Sequence, residues 1–410
     1  MRTLDDLVGR LRPHERIYVA GSAGEPPGLM DAIARAGPPL DVTTSFVPGV
    51  NALAPERFAP GTRFAGPFAL GAAAGAQADG TIRHLPLSYG AFVRHAQTRL
   101  EIDTCFVHVS PPGPDGRHSL GPSAEFTALV AARAGRVFAV VNAQLPVLPH
   151  APSFAASDFA ALARIDAPLA EYDVGAPSEA ATRIAARIAD HVDDGATVQV
   201  GLGKVPDALM RLIGDRKRLR LWSGLLSEGA RALSEAGSLD PTFRHTATAF
   251  LGSQSLYAWL ASREDFAARG CDETHDLARL LRLPRFVAVN SAVSVDLFGQ
   301  ANLETLGARQ ISGVGGAAEF ARAAAQSADG LSVCALVAVA GAARASRIVP
   351  TLGPIVSLPR HDIDIVVTEH GLADLRGLDA RARAFAIVET AAPEHRAALC
   401  AAAETMLAAL

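Results

Sequence analysis

Cysteine is scarce and scattered: Cys105, Cys271, Cys334 and Cys400 form no CxxC pair and stand at no spacing from histidine that suits zinc. Neither a disulfide scaffold nor a metal module is expected, and the thiols read as small buried hydrophobes of a reducing compartment. Long apolar runs are also missing. The longest, Leu331 to Ala343, is too short to span a bilayer, and its β-branched residues suit a buried strand. The N-terminus, MRTLDDLVGRLRPHERIYVAG, has no apolar stretch behind its basic residue. It reads as a first helix and strand and not as a signal peptide, so a cytoplasmic location is expected. A formal charge of −4 is too small to attract a polyanion, and no nucleic-acid partner is expected. Lysine is confined to Lys204 and Lys217 while Ala, Gly and Arg abound, a bias that reflects a GC-rich coding genome and says nothing of mechanism.

What is present is an ordinary globular balance, 49% hydrophobic and 20% charged, in 410 residues, enough for two domains with a full core each. Short apolar runs alternate with amphipathic stretches, the pattern of parallel sheets covered by helices. Strands are expected at 17–21, 42–47, 102–109 and 137–141, with helices at 29–36 and 123–134. The proline-rich stretch Pro146 to Pro177 lacks sustained periodicity and marks the crossing between halves, giving domains of residues 1–176 and 177–410. The second half should open with a helix over 178–191. Its strands are expected at 197–202, 219–222, 246–251, 286–289, 331–339, 355–358 and 363–367, with a terminal helix from Pro393. The two halves read as two versions of one α/β unit.

Five segments carry chemical information. Gly201-Leu202-Gly203 follows a β-branched run and precedes a helical pattern, so it either cradles an anion on helix amides or is a structural turn. Gly313-Val314-Gly315-Gly316 is denser and leads into a helix; unobstructed backbone N–H groups there suit an oxyanion or pyrophosphate, and a packing turn is the alternative. Asn290 and Gln300 flank the end of an apolar strand, where open α/β sheets bind ligands, and either orient a substrate carbonyl or cap the strand. Glu369, His370 and Arg376 lie within ten residues after another buried-strand pattern. Glu369 then supports a site or makes an ordinary ion pair. Ser110 to Gly121 is a stiff proline and glycine loop.

In order, these segments resemble the acetyl-CoA hydrolase and CoA-transferase family. Ser110 to Gly121 resembles its SPPD…G…SLG segment, and Val141 to Pro146 its VNxxxP. Gly201 to Asp207 is similar to its GxGxxPDA turn, Gly299 to Phe320 to GQxNxE…GxRQISGVGGxxDF, Ser346 to Pro350 to SRIVP, and Asp364 to Gly377 to DYVVTExGxAxLRG. The resemblance runs from about residue 100 to the C-terminus. It implies two tandem α/β domains of the NagB/RpiA/CoA-transferase-like fold with mainly parallel sheets, and a CoA-ester site in the cleft between them. Coenzyme A then enters as substrate, with no bound cofactor or metal; a small carboxylate is the implied second partner and a homo-oligomer the implied assembly. In the family a glutamate attacks the acyl-CoA carbonyl and passes CoA through an anhydride and a glutamyl thioester. The backbone amide of a glycine in GVGG, here Gly315 or Gly316, stabilises the oxyanion. By the same alignment Gly201, Gly203, Asn290, Gln300, Gly313, Val314 and Arg376 are expected to bind substrate or CoA.

The departure lies at Leu221 to Gly229, which aligns with the family pattern HTExxSDG. Trp222 stands at the His position, Ser223 at the Thr, and Gly224 at the nucleophilic Glu. Glycine has no side chain to acylate, so ping-pong transfer through this position is excluded by that alignment. Ser294 and Ala317 likewise replace polar residues of the pattern. The expectation is an acyl-CoA hydrolase in which Glu228, Glu369 or a backbone carbonyl orients water. Two alternatives stand beside it: CoA transfer with Glu228 swinging into the missing role, and a catalytically silent acyl-CoA-binding or regulatory protein. Trp222, Phe298 and Tyr257 line an acyl pocket or belong to the core.

Overall fold

The computed structural model describes residues 2–68 and 74–409. Fifteen strands form the two main sheets. In the first half they are β1 (Glu15–Val19), β2 (Leu40–Thr44), β3 (Arg63–Gly66), β4 (Ile82–His84), β5 (Thr104–Val109), β6 (Arg136–Asn142) and β7 (Ala161–Ile165). The second half supplies β8 (Thr197–Val200), β9 (Arg220–Leu226), β10 (His245–Phe250), β11 (Phe266–Ala268), β12 (Phe286–Ser291), β13 (Leu331–Ala335), β14 (Ile365–Val367) and β15 (Leu372–Asp374).

The sheet orders are β4-β3-β2-β1-β5-β6-β7 and β11-β10-β9-β8-β12-β13-β14-β15. Each half starts its sheet at the centre, grows to one side, then crosses back to the other, so the two are versions of one topology. Every pairing is parallel except the last, β14 with β15. Such a sheet is buried on both faces, which is why β5 and β12 read as continuous apolar runs. The helix Glu179–Ala189 opens the second half; Ser178 Oγ accepts from Ala181 N at 3.2 Å as its cap, and Ile184, Ala185 and Ile188 enter the core.

Several expected elements differ. Residues 355–358 form no strand; Leu358 makes one isolated bridge to Ala301, and Val356 is exposed. The expected helix over 123–134 shrinks to Thr127–Ala131, because Pro122 to Glu125 instead pairs with β10: Ala124 N donates to Thr248 O at 3.0 Å and Phe250 N to Pro122 O at 2.8 Å. A first-half segment thus extends the second-half sheet, where the short β11 leaves the end of β10 bare. Residues 331–339 end as a strand at Ala335. Strand β9 runs past the expected Trp222 to Leu226 and takes Gly224 into the sheet. A small three-stranded sheet of Ser294–Asp296, Ala301–Asn302 and Ile348–Val349 is inserted among the crossovers of the second half.

Candidate active site

Strands β8 and β9 are hydrogen-bonded only at Thr197 with Arg220 and Val198 with Leu221. Beyond that point β8 stays with β12 and β9 with β10, and the Ser223 hydroxyl bridges the gap by donating to Val200 O at 2.6 Å. A crevice therefore opens at the carboxyl ends of the central strands, the place where parallel α/β sheets bind ligands. Gly224 lies on this fork and is partly exposed. A Cβ there would meet His275 Nε2 at 3.6 Å and Phe320 Cε2 at 3.7 Å, ordinary contacts.

The segment Gly313 to Gly316 crosses the same place and is seated against the first half. A Cβ on Gly313 would overlap the Pro67 carbonyl oxygen. Gly315, at φ +57, accepts from Tyr89 N at 2.9 Å through its carbonyl. Glu319, one turn into the helix Ala317–Gln326, accepts from the Ser88 hydroxyl and from Gly90 N at 3.1 Å, so its carboxylate caps the helix Tyr89–Thr98. Burial raises the Glu319 pKa despite these donors. Among the described residues, the N–H groups of Gly313, Val314, Gly315 and Gly316 meet no acceptor. A loop with its carbonyl tied back and its amides free is equipped to receive an anion.

His275 joins the loop to Gly224. It is 3% exposed, its ring lies 4.6 Å from Phe320 and 5.1 Å from Tyr89 between centroids, and a Cβ on Gly316 would overlap its Nε2. Nothing in the sequence pattern singles this histidine out; only the packing of Cys271–Thr274 against β9 and the helix Tyr89–Thr98 carries it here. Two more buried polar side chains went unread or half-read. Gln199 and Asn290 share the face of the sheet that carries Phe286 and Ala288 against Phe320, and Gln199 Oε1 and Asn290 Nδ2 have no partner. Asn290 thus sits at the carboxyl edge as expected, with an amide free to donate.

Burial pushes the His275 imidazole down to about 3. Between that value and the ordinary 6.5, the unfolded chain binds a proton that the folded chain refuses, so this residue costs stability increasingly as pH falls below 6.5. Relative to His275→Phe, the wild type should lose about 1.4 kcal/mol per pH unit between roughly pH 6 and 4. Urea unfolding across that range reads the difference directly; parallel pH curves for the two proteins would mean that the ring protonates while folded.

The other expected site residues are dispersed. Gly201 and Gly203 follow β8 at the carboxyl edge, and Gly203, at φ +129, starts the helix Lys204–Leu212. Gln300 is turned to structure: its Nε2 donates to Asp296 Oδ2 at 2.8 Å, and the buried Asp296 also accepts from the amides of Phe298 and Gln300. Arg376 lies apart from these. It follows β15, pairs with Asp374 at 2.6 Å, and shares a surface hollow with Val287 and Leu331 at the amino end of the sheet, opposite the glycine loop. The antiparallel turn of β15 carries it there.

Glu228 opens the helix Glu228–Glu235, and its Oε1 accepts from Ser253 N at 3.0 Å and Ser253 Oγ at 2.6 Å. It lines a cavity of about 470 Å³ with Tyr172, Asp207 and Arg211 that includes no residue of the glycine loop. Glu369 sits beyond β14 at the carboxyl edge, buried, with Oε2 accepting from Ala338 N at 2.9 Å. Tyr257 is core, its hydroxyl donating to Ala170 O at 2.6 Å, while Trp222 packs beside Phe286 and Phe320 and donates to Thr274 O at 2.9 Å. A further cavity of about 670 Å³, mainly apolar, lies against the small sheet and is lined by Ser294, Asn302, Gln310 and Arg347. Arg347 Nε there is buried and unpartnered. Among the described residues no cluster of His, Cys, Asp and Glu could hold a metal ion, and no helix is long and apolar enough to cross a membrane.

Two sheets of one topology, bridged where Pro122 to Glu125 pairs with β10 and where a free-amide glycine loop sits on the first half, define a tandem α/β protein of the CoA-transferase fold. The acetyl-CoA hydrolase/transferase C-terminal domain model matches residues 252–403. The chain is 29% identical over 409 residues to the 4-hydroxybutyrate coenzyme A transferase of Clostridium kluyveri, across 97% of this chain and 95% of that one. It is 30% identical over 313 residues to the succinyl-CoA:cyclohexane-1-carboxylate CoA transferase of Geobacter metallireducens, across 74% and 72%. The crystal structure of RipA from Yersinia pestis superposes with a TM-score of 0.90 at 27% identity, over 99% of this chain and 97% of that chain. The chain belongs to the acetyl-CoA hydrolase and CoA-transferase family.

Proposed function

We propose that the protein acts on short-chain acyl-CoA thioesters and that its reaction is hydrolysis. The observation that carries this reading is Gly224: the position aligned with the acylated glutamate has no side chain, and it shares its neighbour His275 with Gly316 of a loop whose amides are free. A thioester carbonyl set on those amides would be polarised, and an oxyanion hole by itself contributes on the order of 3 kcal/mol of transition-state stabilisation. Water then takes the place of the carboxylate nucleophile. The 670 Å³ cavity supports a place for the carrier arm of coenzyme A, because it shares Gln310 with the strand that leads into the loop and holds the unpartnered Arg347 Nε for a carbonyl or phosphate oxygen.

Release of free thiol from a panel of acyl-CoAs, with and without acetate or succinate, tests the reading. Thiol release that needs no acceptor is the expected result; a new CoA ester formed only with acceptor would replace it by transfer. Both carboxylates expected to orient water are engaged, Glu228 by Ser253 and Glu369 by Ala338. Their proposed contribution is therefore to local structure, and Glu228→Gln and Glu369→Gln should each lower turnover by less than about tenfold, well short of a lost proton-transfer group. A loss of a hundredfold or more in either variant, with acyl-CoA binding intact, would return that carboxylate to the chemistry.

A further inference from the structure

Nε2 of His275 is a buried polar atom with no hydrogen-bond partner, a condition that costs about 1–3 kcal/mol and calls for an account. The hydrogen bonds of its neighbours fix the tautomer. Thr274 Oγ1 lies 3.1 Å from Gly270 O, a contact in which only the hydroxyl can donate. Its lone pairs are then free to accept from the Thr248 hydroxyl at 2.9 Å and from His275 Nδ1 at 2.9 Å. All three bonds are satisfied together only when Nδ1 carries the ring proton, which leaves Nε2 as an acceptor. That lone pair lies between Gly316 of the free-amide loop and Gly224, in the room that a side chain at position 224 would face.

Resting on the hydrolase reading, we propose that His275 Nε2 is the general base of this protein, a group drawn from another part of the chain to stand where the family's carboxylate is absent. A water over Gly224 gives a proton to Nε2 as its oxygen attacks the thioester carbonyl; burial keeps the resting ring neutral and weakly basic, and the oxyanion that develops beside it is what favours the imidazolium. The tetrahedral oxyanion rests on the amides of the glycine loop. Its collapse breaks the C–S bond, and the imidazolium returns the proton to the departing thiolate, leaving free CoA and a carboxylic acid that ionises into solvent. Protons and electrons balance with water as the only co-reactant. Nε2 itself is buried, and Gly224 beside it is partly exposed, so the reacting water has to enter past Gly224. The Gly224 Cβ position lies 3.6 Å from Nε2 and 3.8 Å from Cε1, beside the lone pair and not on its axis, so an oxygen there has to shift both toward the ring and toward that axis to form a hydrogen bond.

The bland account of this ring, an aromatic wedge between Tyr89 and Phe320, predicts that phenylalanine serves as well. His275→Phe, which keeps the wedge and removes the acceptor, is expected to cut acetyl-CoA hydrolysis by about 100-fold or more while acetyl-CoA binding changes less than about threefold. Imidazole added to His275→Ala should restore part of the rate, which a purely structural role would not allow. The wild-type rate should fall by about twofold or more in heavy water, a measurement that needs no variant to fold. Wild-type hydrolysis with full activity in His275→Phe, or with no solvent isotope effect, overturns the proposal and leaves the hydrolase reading standing. Absence of any wild-type hydrolysis removes both.

Discussion

Gly224→Glu should create or raise CoA transfer to added acetate by on the order of tenfold or more, because it supplies the carboxylate that a covalent exchange requires at this position. The backbone allows the change. Gly224 has no left-handed φ, it sits on a strand beside an open fork, and its Cβ would make contacts of 3.6 to 3.8 Å with His275 and Phe320. The new carboxylate would share the crevice with the His275 ring, so only part of a full transferase rate is expected. The assay is mass detection of the new CoA ester formed from one acyl-CoA and a second carboxylate. A folded variant that binds acyl-CoA and yields no new ester would show that Gly224 is not the nucleophile position, and the alignment that places it there would fall.

Gly313→Ala should have the largest effect on stability among the loop glycines. Its Cβ would overlap the carbonyl oxygen of Pro67, a backbone atom that no rotamer change can move aside. Overpacking of this kind costs about 1–3 kcal/mol and would push the loop off its seat on the first half. Turnover should fall together with the melting temperature, since the free amides and the Tyr89 N to Gly315 O bond share that seat. Gly201→Ala is the control: no atom lies within 4 Å of its Cβ, and stability should stay within about 0.5 kcal/mol. Equal melting temperatures for the two variants would mean that the loop is not clamped by Pro67.

Much of the fold was legible because its information is local. Continuous apolar runs at β5, β12 and β13 are what a parallel sheet buried on both faces demands of the chain. Glycines at the strand ends, and the absence of a side chain at Gly224, are likewise facts of residue type at one place. Short edge elements such as β4, β11 and β15 were not legible, since a few residues become a strand only when a neighbour offers its free edge.

For the site, the sequence by itself determined which residues are present: a glycine loop able to bare its amides, an Asn at a strand end, and no carboxylate at position 224. The tertiary structure alone decided which of them meet. It turned Arg376 to the far end of the sheet through an antiparallel strand, and it bound Glu228 and Glu369 to Ser253 and Ala338. It also brought His275, from a segment that carries no signal of its own, against Gly224 and Gly316. The physical reason is that periodicity and residue type report the environment along the chain, whereas proximity across two sheets depends on how their carboxyl edges pack, and that is fixed only when both cores have formed.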